Sequence, residues 1–467
     1  MVKPILVLQM QRMGDLILSF PLFLWLSRTY HHTPVWTVAE EDFFQGLMPI
    51  SPQVVYVPWN NYSYILKEKY SLVINLSHRR EAAWLAGQIK ADEKIGPYLD
   101  RDDYQYIAGK WQLYRASLVQ SNRHNRFHWA DLNALDVIPF DLMKSTIWPE
   151  PRILPSNGNK VGLFLGASER SKRPSARFWS LLAQRLIEYG LRPVFLGGKA
   201  EVELAERVKS DLDVRVLDLT GQLSLDQLVR IGQTLQLLVT PDTGPMHLAA
   251  WTGLRVLNLS MGPVNPWETG PYQPGHLVLR ANLSCRGCWT CKFTEPKCGQ
   301  KFDPRKIAFL VKEIVFYETS RLGKTRINGL ELFTTQRTGT LYHLLAIHQR
   351  FTLSDLFGQL WRSFWGYHFG LWAREEVFSI AEEIRAKHPL FAKSFQEGLF
   401  LILDQIKRVV RTRQVPEPDF WSNSPPMLRP LTSYIHLFWQ NTNFTPASLK
   451  KSLDLVEEFY SMFDVGF

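Results

Sequence analysis

The sequence predicts an α/β protein made of two doubly wound halves around a cleft, followed by an all-α C-terminal extension. Three observations predict it. Short apolar runs of buried-strand type alternate with segments of helical length, the signature of parallel sheets wrapped by helices. That alternation pauses at the Pro- and Gly-rich stretch 149–159 and then restarts. Beyond residue 320 the strand pattern gives way to long helical periodicities. A chain of 467 residues is also too long for one ordinary core.

In the first half, residues 4–10 (PILVLQM) form a buried strand, and a turn at Arg12–Gly14 leads to a helix over 15–28. Asp15 stands at the head of that helix, where the dipole favours an ionised acid, and Pro21 costs it a hydrogen bond. Strands follow at 35–38, 54–57 and 72–76, with a helix at 81–89. Residues 100–135 are polar and carry no clear period. In the second half, strands are expected at 160–165, 192–196, 237–239 and 256–259. Helices are expected at 178–189, 202–209, 225–234, 245–251 and 303–317. The resulting domains are 1–152, 153–320 and 321–467.

The junction Val239-Thr240-Pro241-Asp242-Thr243-Gly244-Pro245-Met246-His247 organises the second half. It reads as strand, tight turn and helix, with Pro245 suited to the first helical turn. Such a turn aims free backbone N–H groups at a guest outside the strand, for which phosphate is the usual ligand. Asp242, Thr243 and His247 add side chains able to hydrogen-bond a nucleotide sugar. Gly197-Gly198-Lys199-Ala200-Glu201 is a second strand-to-helix turn, whose carboxylate suits ribose hydroxyls, with Glu203 as the alternative to Glu201. Gly166 to Arg173 offers Ser168, Lys172 and Arg173 to a diphosphate.

Five motifs in order carry a resemblance to a known family: Arg12-Met13-Gly14-Asp15, Gly197–Glu201, Leu219-Thr220-Gly221, Asp242-Thr243-Gly244-Pro245-Met246-His247-Leu248-Ala249-Ala250 and Gly262-Pro263. Over residues 1–318 the chain resembles glycosyltransferase family 9, the ADP-heptose:lipopolysaccharide heptosyltransferases. The resemblance implies a GT-B fold of two Rossmann-like domains. It implies an inverting transfer of heptose from ADP-heptose to a lipopolysaccharide-core or other glycan acceptor, without a catalytic metal. Asp15 then corresponds to the general base on the acceptor hydroxyl. Lys172 is the cation for the leaving diphosphate, although the Trp-Pro pair usual after the basic residue is missing and Arg173 is its neighbour. Arg12, Gly14, Ser168, Arg173, Gly198, Glu201, Asp242, Thr243, Gly244 and His247 complete the substrate and nucleotide set.

The four cysteines, Cys285, Cys288, Cys291 and Cys298, have a C-x2-C-x2-C-x6-C spacing that suits a structural zinc, iron or iron–sulfur site. Their clustering argues against a secreted disulfide framework. The D-x-D pattern at Asp100-Arg101-Asp102 reads as a solvated acidic loop. The formal charge of +10 is spread without a long basic run, so it fits anionic substrates or a membrane surface at least as well as nucleic acid, and no nucleic-acid partner is expected. No signal peptide or span of membrane length is apparent at the N-terminus, which reads as cytoplasmic.

In the extension, helices are expected at 340–348, 353–364, 372–385, 393–411 and 448–463, after a linker at 320–339. Phe357, Leu360, Trp361, Phe364 and Trp365 stand at helical spacing, with Gly366 and Gly370 as helix breakers. They read as the core of a bundle packed on the other domains or on a second subunit. The alternative is a surface helix on the inner membrane, with Arg362 and Arg374 toward the headgroups. A protein acceptor or homo-oligomerisation through this tail is also open.

Overall fold

A computed structural model of the chain describes residues 2–154, 158–317, 322–337, 341–348, 352–414, 421 and 423–463. The N-terminal sheet contains β1 (Ile5–Leu8), β2 (Val35–Ala39), β3 (Val55–Pro58), β4 (Lys69–Asn75), β5 (Lys90–Leu99) and β6 (Gln105–Ala108). Their order is β3-β2-β1-β4-β5-β6, parallel except for β6. All four β1 residues are fully buried, because both faces of the sheet are covered. The helix expected over 15–28 is two helices, Met13–Ile17 and Phe20–Thr29. Pro21 lies in the first turn of the second, where its missing N–H breaks no helical bond.

The second sheet contains β7 (Lys160–Phe164), β8 (Arg192–Leu196), β9 (Leu217–Asp218), β10 (Leu237–Pro241), β11 (Val256–Ser260), β12 (Leu277–Ala281), β13 (Leu330–Gln336) and β14 (His343–Ala346). Its order is β14-β13-β12-β11-β10-β7-β8-β9, with β13 and β14 antiparallel. The extension therefore does not begin as helices. Where a linker and a helix over 340–348 were expected, a hairpin closes the edge of the second sheet. Its Leu332, Phe333 and Leu344 are buried in the core. Parts of the two expected linkers, 155–157 of the first and 320–321 with 338–339 of the second, lie outside the described residues.

The rest of the extension is helical: Leu353–His368, Glu375–Lys387, Pro389–Thr412, Arg429–Asn441 and Pro446–Phe463. Gly366 sits inside the first of these helices instead of breaking it. A Cβ there would fall 2.0 Å from Trp372, so glycine lets that indole lie flat against the helix. Gly370, at φ +82°, makes the turn that follows. Leu360, Trp361, Phe364 and Trp365 are 0% exposed, which fits the core and not a membrane surface. The Arg362 guanidinium lies 5.5 Å over the Trp372 ring instead of facing headgroups. Among the described residues, no helix is long and apolar enough to cross a membrane.

These helices share one core with the N-terminal half. Phe369 meets Trp111 at 4.6 Å and Trp365 meets Tyr114 at 5.3 Å between ring centroids. Asn441 joins the edge of β6, accepting from the Ile107 N–H at 2.6 Å and donating to its carbonyl at 3.0 Å. Deleting residues 352–467 should therefore give insoluble protein, or lower the melting temperature by at least ~10 °C in a thermal scan. A soluble truncation with unchanged melting would contradict this packing.

Candidate active site

The cleft forms where two strand-to-helix turns meet. The turn after β1 opens the helix Met13–Ile17, and the turn after β10 opens the helix Gly244–Trp251. Their first turns touch. A Cβ on Gly244 would lie 2.5 Å from the Met13 methyl, and one on Gly14 would lie 3.1 Å from the His247 ring. Glycine at both positions lets the two backbones approach this closely.

A cavity of about 730 Å³ opens at this meeting point. It is lined by Arg12, Gly14, Asp15, Ser168, Lys172, Asp242, Thr243, Gly244 and His247. A neighbouring hollow of about 370 Å³ holds Arg173, Gly198 and Glu201, and shares Ser168 and Thr243 with the cleft. Every transfer-site residue expected from the sequence thus lies in one of two adjoining spaces.

Asp15 Oδ2 accepts the Arg12 backbone N–H at 3.3 Å, as a helix cap would. The helix dipole predicts an acid held ionised, yet burial dominates and raises its pKa above the usual carboxylate range. Arg115 and the Arg12 N–H oppose this only in part. A carboxylate so desolvated is a better proton acceptor than a surface aspartate.

Lys172 Nζ donates to Asp242 Oδ2 at 3.1 Å and pairs with Glu169 at 3.5 Å. Burial disfavours its charge, but the two carboxylates outweigh burial and its pKa is raised, so it stays a cation. Asp242 also accepts from Thr269 Oγ1 at 3.2 Å. With both oxygens engaged, it first serves to hold Lys172. Arg173 is spent on its own loop, donating to the Ala167 carbonyl and, at 3.2 Å, to that of Ser168. Lys172 is therefore the cation presented to the cleft from this loop. Arg12 bridges the halves through Ser168 Oγ at 3.1 Å.

His247 is buried, and its pKa falls to about 4 through desolvation, with Lys172 adding and Asp242 opposing. It is a neutral imidazole at neutral pH, and its Nδ1 has no protein partner. In the adjoining hollow, Glu201 Oε2 accepts the Gly198 N–H at 2.9 Å and packs over Gly166 and Gly197. Glu203 faces solvent and pairs with Arg207, and of the two acids it is Glu201 that lines the hollow.

Sequence reasoning missed part of the site. Gln11, His78, Asn122, Trp129 and Glu268 also line the cleft. Glu268 accepts from Asn122 at 2.7 Å and Asn125 at 2.9 Å, and Asn265 ties the same segment through the Asn122 carbonyl at 2.8 Å. Asn122 and Trp129 come from 100–135, where no periodicity marks them, Gln11 and His78 from loops that follow strands, and Glu268 from the short helix Pro266–Thr269. The cluster of Asn122, Asn125, His128, Asp131 and Asn133, all buried, was the available signal.

The D-x-D residues sit in the β5–β6 turn, with Asp100 accepting from Asp102 and Tyr104 N–H groups at 2.9 Å, outside the cleft. Cys285, Cys288, Cys291 and Cys298 are free and half-buried. Four thiols suit zinc or iron chemically, but among the described residues no group of three or more Cys, His, Asp or Glu converges to hold a metal. The expected metal centre is therefore not formed in this geometry. Arginines hold the loop instead: Arg286 donates to Glu331 at 3.2 Å and Thr352 at 2.8 Å, and Arg123 donates to the Ser284 carbonyl.

Burial pushes the Glu268 carboxyl up to about 7, with the two amides opposing. Because the folded value lies above the unfolded 4.5, this group's contribution to stability is complete below the unfolded value and is lost as pH rises through about 7. Relative to wild type, Glu268→Gln should gain about 2 °C or more in melting temperature between pH 5 and pH 8. A difference that stays constant with pH would contradict the buried carboxyl.

The chain matches the model of glycosyltransferase family 9 (heptosyltransferase) over residues 63–297. It is 28% identical over 205 residues to lipooligosaccharide heptosyltransferase 2 of Campylobacter jejuni, covering 42% of this chain and 61% of that one. It is 28% identical over 160 residues to lipopolysaccharide heptosyltransferase 2 of Escherichia coli K12, covering 30% and 45%. The chain thus spans less than two thirds of the length of these relatives. Among solved structures, a glycosyl transferase family 9 protein from Veillonella parvula superposes with a TM-score of 0.53 at 23% identity, over 68% of this chain and 98% of that one. Escherichia coli ADP-heptose lps heptosyltransferase II gives 0.51 at 17% identity, over 68% and 100%. The fold is therefore GT-B with added C-terminal helices, and the chain belongs to glycosyltransferase family 9.

Proposed function

We propose that the cleft transfers a heptose from ADP-heptose to the core region of a lipopolysaccharide acceptor, with inversion at the anomeric carbon. The observation that carries this reading is a desolvated, half-buried carboxylate, Asp15, in the same cleft as a held ammonium, Lys172, where two helix N-termini meet. The names of the Campylobacter and Escherichia relatives supply the sugar and the acceptor class.

The adenosine would lie in the hollow of Gly198 and Glu201, with the diphosphate directed toward Lys172 and the free N–H groups at Thr243-Gly244. An acceptor hydroxyl enters from the side of Asp15, which takes its proton as the oxygen attacks the anomeric carbon. The bond from that carbon to the diphosphate oxygen breaks. The growing charge falls on Lys172 and the helix N-terminus, interactions strongest in the transition state. Attack opposite the leaving group inverts the centre. His247, neutral and with one free nitrogen, suits a hydrogen bond to a phosphate or sugar oxygen.

A protein acceptor is the second reading, favoured by one observation. The added helices pack on the N-terminal half, which would hold the acceptor. Mass spectrometry of lipopolysaccharide and total protein from a deletion strain separates the two.

Asp15→Ala should keep the fold and the affinity for ADP while transfer falls by at least ~10²-fold. In the wild type, the acid limb of turnover should lie above the range of an exposed aspartate, since the base must be ionised to act. Unchanged turnover in Asp15→Ala would return Asp15 to the role of helix cap.

A further inference from the structure

The four-cysteine loop does more than brace the fold, because its central side chain reaches the cleft. Trp289, between Cys288 and Thr290, lines the same cavity as Asp15 and Lys172 and remains 38% exposed. Its backbone is unusual. At φ +48° it lies in the left-handed region, which is uncommon for a residue with a Cβ, so something must hold it.

The surroundings supply that hold. Gly287, at φ +71°, packs so closely on the N-terminal half that a Cβ would lie 2.9 Å from the Arg123 Cα. Arg123 ties the Ser284 carbonyl, and Arg286 ties Glu331 and Thr352. The loop leaves the second half, crosses to residue 123 of the first and is fixed through residues 284–287, just before its tip. An exposed indole is thus held at the cleft by a built scaffold.

We propose that Trp289 is a specificity-determining residue that stacks on a sugar ring of the acceptor. This rests on the transfer reading for the identity of the acceptor. Three observations favour the acceptor over the nucleotide. Trp289 lines the main cleft and not the hollow of Gly198 and Glu201. Its loop docks beside Asn122 and Arg123, in the half that carries Asp15. That half brings a second indole, Trp129, and the His78 ring to the same cavity, 6.1 Å apart. Flat aromatic faces match the apolar C–H face of a pyranose, while the indole N–H remains free for a hydroxyl.

The test uses the full-length protein saturated with ADP and, as probe, core oligosaccharide from heptose-deficient lipopolysaccharide. Binding is measured by calorimetry and transfer kinetics are measured in parallel. Trp289→Ala should weaken oligosaccharide binding by ~10-fold and raise the acceptor KM to match. The Kd for ADP and kcat should stay within about 3-fold, and Trp289→Phe should restore most of the loss. Trp289→Leu, similar in apolar character but without a flat ring, should behave as the alanine variant, and it decides the matter against Trp289→Phe if Trp289→Ala does not fold. Unchanged oligosaccharide affinity overturns the proposal. So does a phenylalanine variant as weak as leucine, or a parallel loss of ADP affinity. Wild-type protein that binds the oligosaccharide without transferring heptose would sink the transfer reading and leave the platform standing. Wild-type protein that does not bind it would sink the platform.

Discussion

The active cleft depends on the contact between Gly14 and Gly244. Each glycine lies where a Cβ would collide or crowd against the facing helix, so the first turns of two helices from two sheets meet without side chains between them. That contact brings Asp15 and Lys172 into one cavity. The packing around it also desolvates the ionisable groups there, and that sets the chemistry. Burial raises the pKa of Asp15 and lowers that of His247, leaving a carboxylate primed to take a proton beside a neutral imidazole. Lys172 keeps its charge only because Asp242 and Glu169 stay close to it.

The contact is held by what surrounds the cleft. Asp131 of the first half is fully buried and accepts from the Tyr272 hydroxyl at 2.6 Å, the Tyr342 N–H at 2.9 Å and Arg337 at 3.2 Å. Those donors come from the second half and its added hairpin. Removing Arg337 would leave the Asp131 charge uncompensated in a buried position, which is more costly than the pair is stabilising. Asp355 of the helical extension pairs with Arg286 and lies 3.7 Å from Arg126, joining all three parts of the chain. The extension is thus a clamp across the two halves as well as a bundle beside one of them.

Much of this was legible in the sequence because it rests on local rules. Strand–turn–helix junctions announce themselves through apolar runs, glycine and proline, and both candidate phosphate turns emerged that way, whereas Asp15 stood out as more than a helix cap only through the family resemblance. Other features depend on long-range partners. Residues 100–135 carry no clear period because they are short elements and turns in which several buried polar side chains find partners in distant segments, as Glu268 accepts from Asn122 and Asn125. The hairpin β13–β14 looked like linker and helix because its strand character comes from pairing with β12. Gly366 looked like a helix breaker, and only the Trp372 ring explains it. The elevated pKa of Asp15 was also out of reach, since a dipole can be read from a sequence but desolvation cannot. The cysteine spacing pointed to a metal, whereas the structure gives that loop arginine anchors and an indole tip.

The most direct test of the central claim is to incubate the purified chain with ADP-heptose and core oligosaccharide and to follow both products by mass spectrometry and NMR. A single heptose should join the oligosaccharide for each ADP released, with the anomeric configuration opposite to that of the donor. Retained configuration, or ADP released without any glycan product, would contradict the account.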